Sequence, residues 1–159
     1  MTARRGGLFV VRTGAEADAE TLLEALELYP GAHIDIAHAD FENGGLRRRM
    51  QRAAYLVLPG LSYELEPQEL VMAFAEGLPV IASRLPVLAD MLEPGRNALL
   101  FEAGSASELA RRLAWAGAFP EKMRQMGECA QADYQARFVA HWDWRRLYGE
   151  RRRQARLYP

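Results

Sequence analysis

The strongest constraint on the fold is a regular alternation of short apolar runs with longer amphipathic segments. Five runs of three to five residues, rich in branched or aromatic side chains, predict β-strands at Leu8–Val11, His33–Ala37, Tyr55–Leu58, Val80–Ala82 and Ala98–Phe101. The segments between them predict helices near Glu16–Leu28, Leu46–Ala53, Pro67–Ala75, Val87–Leu92 and Ser105–Trp115. Such alternation is typical of a parallel sheet covered by helices on both faces. We therefore expect an α/β fold: a doubly wound, Rossmann-like domain with about five parallel strands.

Chain length favours a single domain. The 159 residues, half of them hydrophobic, can build one well-formed core and are too few for two comfortable domains. We expect residues 1–159 to form one unit, with the sheet and its helices in 7–117 and C-terminal helices in 120–157. The second part is predicted from apolar residues that recur at three- and four-residue steps between Met123 and Trp142.

Two predicted helices carry local start signals. Ser105 and Glu108 have the Ser-x-x-Glu spacing of a capping box, in which each side chain bonds the backbone N–H of the other residue. Pro67 is suited to the first position of the third helix, where a backbone N–H is not needed.

Charge and cysteine content limit the partners and the compartment. The formal net charge of -1 gives no general attraction to nucleic acid or anionic membranes. Cys129 is the only cysteine, which excludes an internal disulfide and favours a reducing compartment. The apolar run after the N-terminus is too short for a signal peptide or a membrane span. We expect a cytoplasmic protein that binds no nucleic acid.

Arginines are concentrated near the C-terminus, where residues 145–159 contain six of them together with one acid. A helix there could make peripheral contact with an anionic membrane. The plainer interpretation is a solvated helix whose aromatic residues, among them Trp142 and Trp144, pack on the domain or on a partner.

The expected sheet predicts where a ligand would bind. Open parallel sheets bind ligands beyond the carboxyl ends of their strands, where helix N-termini present unpaired N–H groups. We expect this edge to include residues 12–17, 59–66 and 83–87, together with the turn around Arg96 and Asn97.

One segment at this edge resembles a known family. Residues 63–83 read YELEPQELVMAFAEGLPVIAS, and the Tyr-Glu followed by Ala-Phe-Ala-x-Gly-x-Pro-Val-Ile-Ala-Ser is similar to the donor-binding segment of GT-B glycosyltransferases, family 4. The strand ending at Arg12 and the run from Gly95 to Phe101 also follow the family's order. The resemblance covers most of residues 7–117.

The resemblance implies a function and a set of site residues. It implies the C-terminal, donor-binding half of a glycosyltransferase that transfers a sugar from a nucleotide donor with retention. Arg12 would then bind the donor phosphates and Glu64 the sugar hydroxyls, with Tyr63, Ser83 and Asn97 completing the donor site. No metal or cofactor is implied. The acceptor would require a separate acceptor-domain subunit or a homodimer.

The chain also departs from the family pattern. Met72 stands where the family has a second acid, and Ala17 and Asp18 replace a Lys-Gly pair that contributes to phosphate binding. The interval between Ala37 and Leu46 is too short for another strand-and-helix unit, which the family normally has. These departures support an alternative function, a non-catalytic remnant that serves as a protein-binding or scaffold module.

Simpler roles exist for the individual residues. Arg12 could pair with a nearby acid instead of a phosphate, and Glu64 could cap the following helix together with Glu66 and Glu69. The sequence 33–40 contains His33, Asp35, His38 and Asp40, but strand alternation places His38 on the opposite face from His33 and Asp35. We therefore expect no metal site.

Overall fold

The five predicted strands are all present. The computed structural model describes residues 3–12, 15–38, 44–63 and 67–140. The strands are β1 (Gly7–Val11), β2 (Ile34–His38), β3 (Tyr55–Leu58), β4 (Val80–Ser83) and β5 (Ala98–Phe101). The helices are α1 (Ala19–Leu28), α2 (Gly45–Arg52), α3 (Gln68–Ala75), α4 (Ala106–Ala118) and α5 (Pro120–Tyr134). Every strand bound lies within one residue of its predicted position, which confirms the α/β alternation.

The strands form one parallel sheet in the order β2-β1-β3-β4-β5. Since all strands run in the same direction, their carboxyl ends lie at one edge and the loops that follow them share that edge. The chain passes from β2 to α2 through residues 39–43, which lie outside the described residues. Strand β2 is an edge of the sheet, and its Ile36 is exposed.

Strand alternation divides the core into two layers. Leu8, Leu56 and Val80 face a layer that also contains residues of α2 and α3. Phe9, Val57 and the other strand side chains that point to the opposite face of the sheet contact a second layer, formed with α1, α4 and the first half of α5. The central strands are buried on both faces, which is why their sequences are almost continuously apolar.

The helix starts differ in detail from the predicted ones. The Ser105 hydroxyl accepts a hydrogen bond from the Glu108 N–H at 3.3 Å. The second predicted bond of the capping box, from the Ser105 N–H to the Glu108 carboxylate, is wrong. The Glu108 carboxylate accepts a hydrogen bond from the Glu102 N–H instead. Pro67 is the N-cap of α3 rather than its first helical residue. The segment predicted as helix Glu16–Leu28 begins with a 3₁₀ turn at Glu16–Asp18.

The predicted helix Val87–Leu92 is wrong. This segment contains a single 3₁₀ turn at Pro86–Leu88, followed by further turns before β5. The N–H groups of Leu88 and Met91 donate to carbonyl oxygens three residues earlier, which is the hydrogen-bond pattern of a 3₁₀ turn. Few residues separate Pro86 from Pro94, so the segment cannot recover the high cost of starting an α-helix.

The C-terminal helices are described only in part. Helix α5 continues as a π-helix at Gln135–Ala140, and the predicted helical region beyond it lies outside the described residues. No helix within the described ranges is long and apolar enough to cross a membrane.

A close approach of two backbone segments fixes α5 against α3. A Cβ added to Gly127, on α5, would lie 2.2 Å from the carbonyl oxygen of Gly77 in the turn after α3. Gly77 itself has a φ of +70°, which only glycine adopts readily. Gly127 is therefore required by packing, because the contact is with backbone that no rotamer change can move.

We expect Gly127→Ala to lower the free energy of unfolding by about 1–3 kcal/mol, the usual cost of overpacking. The matched control is Gly117→Ala in α4, where the added Cβ finds only an ordinary contact at 3.5 Å from the Tyr29 hydroxyl. That change should raise the free energy of unfolding by about 0.5–1 kcal/mol, because alanine favours the helix. Urea unfolding of both variants measures the two effects, and equal effects would contradict the close contact.

Candidate functional site at the carboxyl edge

The order of the strands defines one crevice at the carboxyl edge. Strand β2 pairs with one side of β1, whereas β3 pairs with the other. In open parallel sheets the crevice at such a reversal is the usual ligand position. Arg12 directly follows β1, and the loop that leads to α3 follows β3. These elements therefore form the walls of the candidate site.

An ion pair joins the two walls. The Arg12 Nε lies 3.2 Å from Oε1 of Glu69, in the first turn of α3. The Arg12 side chain is 35% exposed and the Glu69 side chain only 3%. Arg12 thus pairs with a nearby acid, as the simpler interpretation of the sequence expects, while part of its guanidinium stays accessible to a ligand.

The Glu69 carboxyl is incompletely satisfied. Among the described residues, its Oε2 is buried and has no hydrogen-bond partner. Burial raises the pKa of Glu69 above its ordinary value of 4.5, against a hydrogen bond from its own backbone N–H and the charge of Arg12, which lower the pKa. Leaving a buried carboxylate oxygen without a donor is costly. This carboxyl is therefore held in the candidate site at an energetic cost.

Asp18 and Tyr63 complete the electrostatic surroundings. Burial raises the pKa of Asp18 above its ordinary value of 3.8, and the charge of Arg12 opposes that rise. The Tyr63 hydroxyl accepts a hydrogen bond from the Gly60 N–H at 3.0 Å, which closes the loop after β3. Burial is the main reason that the pKa of Tyr63 is raised well above its ordinary value, so the phenol remains neutral. One cation therefore faces two carboxyl groups.

Ser83 lies at the same edge but points into the sheet. It is the last residue of β4, it is fully buried, and its hydroxyl donates to the Leu58 carbonyl at 3.3 Å. Its predicted role in donor binding stays a prediction. Met72, at the position of the family's second acid, packs against the core layer that contains α3.

The predicted position of Asn97 at the carboxyl edge is wrong. Asn97 precedes β5, so it lies at the amino ends of the strands, on the opposite side of the sheet from Arg12. Its side chain accepts a bond from the Glu93 N–H and donates to the Met91 carbonyl and to Asp133. These bonds hold the 91–97 turn against α5. The predicted edge is wrong because a turn signal in the sequence does not show whether the turn precedes or follows a strand.

The other residues singled out from the sequence either lie outside the described residues or make other contacts. Glu64 and the arginine-rich segment from Arg145 to Pro159 lie outside the described residues, so their roles stay predictions. Asp35 pairs with Arg49 of α2. Within the described ranges no three His, Cys, Asp or Glu side chains come together as metal ligands.

A cleft of about 580 Å³ lies away from the crevice. Phe74, Glu93, Asn97 and Asp133 line it, which places it beside the amino end of β5. In this cleft, the side chains of Asn97 and Asp133 already bond each other. The crevice instead has a partly exposed cation and a carboxyl that lacks a donor among the described residues, so we take it as the candidate site.

The pairing of Glu69 with Arg12 and the contribution of Asp18 are not among the features that the sequence predicts. The pattern of buried residues in α3 explains why Glu69 needs a partner. Glu69, Leu70, Ala73 and Phe74 are the buried residues of that helix, so a polar residue falls one turn before an apolar one on the inner face. An acid at such a position needs a buried partner.

We expect Asn97→Ala to lower the free energy of unfolding by about 2 kcal/mol or more, because its partners lose their bonds in a buried turn. Gln51→Ala is the matched control: its amide donates to Glu76 at an exposed position and should change stability by less than about 0.5 kcal/mol. Urea unfolding gives both values. A large effect of Gln51→Ala, or none of Asn97→Ala, would contradict this assignment.

The raised pKa of Glu69 predicts a pH-dependent contribution to stability. The folded state holds this proton more tightly than the unfolded state, so the contribution falls as pH rises above the ordinary value of 4.5. Glu69→Gln should remove that dependence. Urea unfolding of both proteins between about pH 4.5 and 7.5 gives their stability difference, which should shift in favour of the variant as pH rises. A difference independent of pH would contradict the raised pKa.

Comparisons with known structures show the same fold. Sucrose-phosphate synthase from Thermosynechococcus elongatus matches with a TM-score of 0.74 at 22% identity, over 100% of this chain and 47% of that one. The C-terminal domain of a glycosyl transferase group 1 family protein (LpcC) from Francisella tularensis matches with a TM-score of 0.69 at 11% identity, over 86% and 87% of the two chains. Anabaena Alr3699/HepE, solved in complex with UDP and glucose, has a TM-score of 0.69 at 19% identity, over 84% and 44%.

This chain spans about half the length of the synthase and of HepE. No curated protein matches its sequence significantly. The family model described as glycosyl transferases group 1 matches residues 6–116, which is more than half of the chain and includes every strand of the sheet. The chain therefore belongs to the glycosyl transferases group 1 family.

Proposed function

We propose that this domain binds the nucleotide-sugar donor of a retaining glycosyl transfer reaction. The observation that carries the proposal is the position of Arg12, a partly exposed cation at the carboxyl end of β1, in the crevice where the strand order reverses. Family membership and the likeness to HepE, which was solved with UDP and glucose, support the same ligand class.

The chemistry of the crevice suits the diphosphate of such a donor. The guanidinium of Arg12 supplies planar, charged N–H donors for phosphate oxygens, and the N-terminus of α3 faces the same crevice. Bonds to the leaving diphosphate would strengthen as charge develops on it during transfer. Arg12 is therefore the residue expected to contribute most to donor affinity. Glu64 would contact the sugar hydroxyls.

The acceptor would bind to a second domain. The matched structures of the synthase and HepE are about twice as long as this chain. Within the described residues, the only walls of the crevice are the loops and helix N-termini of one sheet edge. We propose that an acceptor-binding domain, or a second copy of this chain, closes the crevice and excludes water from the reacting sugar.

Calorimetric titration with a panel of nucleoside diphosphates and their sugars tests the donor assignment. We expect saturable binding of at least one nucleotide sugar, and Arg12→Ala should weaken it about 10- to 100-fold, the usual effect of losing one charge-assisted hydrogen bond. Arg111→Ala is the matched control, because Arg111 is an exposed arginine of α4. It should leave the affinity unchanged.

The two variants separate specific from general electrostatic binding. Equal weakening by Arg12→Ala and Arg111→Ala would mean that the ligand responds only to overall charge, which contradicts the site. Absence of binding across the panel, with a folded protein, would contradict donor binding and favour the non-catalytic alternative.

A further inference from the structure

Glu69 occupies the position that an anionic ligand would take. Its carboxyl contacts the Arg12 guanidinium at 3.2 Å, and its own backbone N–H, in the first turn of α3, acts to lower the pKa of the carboxyl. These are the two kinds of donor, a guanidinium and a helix N-terminal N–H, that make an anion site. Within the part of the chain that the structure describes, the buried Oε2 has no hydrogen-bond partner, so this carboxyl fills the position without being fully satisfied there.

We propose that Glu69 is an intramolecular competitor for the anion position at Arg12 and thereby determines which ligands the crevice accepts. An anion can bind Arg12 fully only when the Glu69 carboxyl is protonated or has moved. Ligands that carry less charge near Arg12 are favoured over those with a free diphosphate. The inference rests on the proposed function in that it concerns the same anion position, but it does not require a sugar donor.

The physical basis is competition between two anions for one cation. With Asp18 nearby, Arg12 already faces two carboxyl groups before any ligand arrives. A diphosphate would add like charges within a few ångströms of them. Replacing the Glu69 carboxylate by the isosteric, neutral amide removes both the competitor and one source of repulsion.

Protonation should have the same effect as this replacement. Among the described residues, the charged or titratable groups that face Glu69 are Arg12 after β1, Asp18 before α1 and Tyr63 in the loop after β3. Tyr63 stays neutral in acid, so Glu69 and Asp18 are the described groups facing this crevice whose charge changes as the pH falls. Because burial raises the pKa of Glu69 above 4.5, lowering the pH towards 4.5 increases its protonated fraction and frees Arg12 for a ligand.

Titration with inorganic pyrophosphate tests the competition directly. At about pH 7.5, we expect Glu69→Gln to bind pyrophosphate about tenfold or more tightly than the unchanged protein. Glu76→Gln, at the other end of α3, is the matched control because Glu76 pairs with Arg47 away from the crevice. It should change nothing. Adding Arg12→Ala to Glu69→Gln should abolish the gain, which shows that the new binding occurs at Arg12.

A second measurement uses the unchanged protein, in case Glu69→Gln impairs folding. Sulfate, whose charge is constant over the pH range used, is titrated by NMR from about pH 7.5 to 5. Its affinity should rise as the pH falls. Asp18→Asn is the control for the other carboxyl group and should retain most of this pH dependence, whereas Glu69→Gln should remove it.

The outcomes separate this inference from the proposed function. Pyrophosphate binding that is no tighter in Glu69→Gln than in Glu76→Gln, with sulfate binding independent of pH in the unchanged protein, overturns the inference even if a nucleotide sugar binds. A gain of pyrophosphate binding in Glu69→Gln with no nucleotide sugar bound by any variant supports the inference and contradicts the proposed function.

Discussion

The parallel pairing of β1 with a different strand on each side is the constraint on which the remaining structure depends. It buries β1 on both faces and both edges, and Gly7 at its start leaves room for the Tyr55 ring and the Ile34 side chain from the neighbouring strands. Because the strand order reverses there, the residue that follows β1 must lie at the crevice. The position of Arg12 is therefore a consequence of the sheet, not of its own contacts.

Placing a cation at such a position creates an electrostatic problem that the chain resolves internally. An unpaired arginine beside a buried helix N-terminus would concentrate positive charge at one point, and Glu69 neutralises it. A largely buried ion pair contributes little net stability, because desolvation of both groups offsets their attraction. The Oε2 of Glu69, which has no hydrogen-bond partner among the described residues, adds to that cost. Because the pair is so weakly stabilised, an anion of the kind proposed above can displace it.

Much of the fold could be predicted from the sequence because the signals were local. The runs Tyr55–Leu58 and Ala98–Phe101 are apolar throughout and bounded by polar residues or turns, and both coincide with observed strands. The helix expected at Val87–Leu92 failed because periodicity over six residues cannot distinguish a helix from successive turns. The contact between Arg12 and Glu69 could not be predicted in this way, because the two residues are far apart in sequence. They meet only because of the order of the strands.

The sheet and the crevice at its carboxyl edge depend on different side chains. The two core layers are built from strand residues and from the inner faces of the helices, so they make almost no use of the side chains that line the crevice. Met72, for example, packs against the core layer that contains α3. Changes at the carboxyl edge can therefore alter the crevice without weakening the sheet. The sheet thus defines where the crevice lies, whereas the charges of Arg12, Asp18 and Glu69 define its electrostatic character.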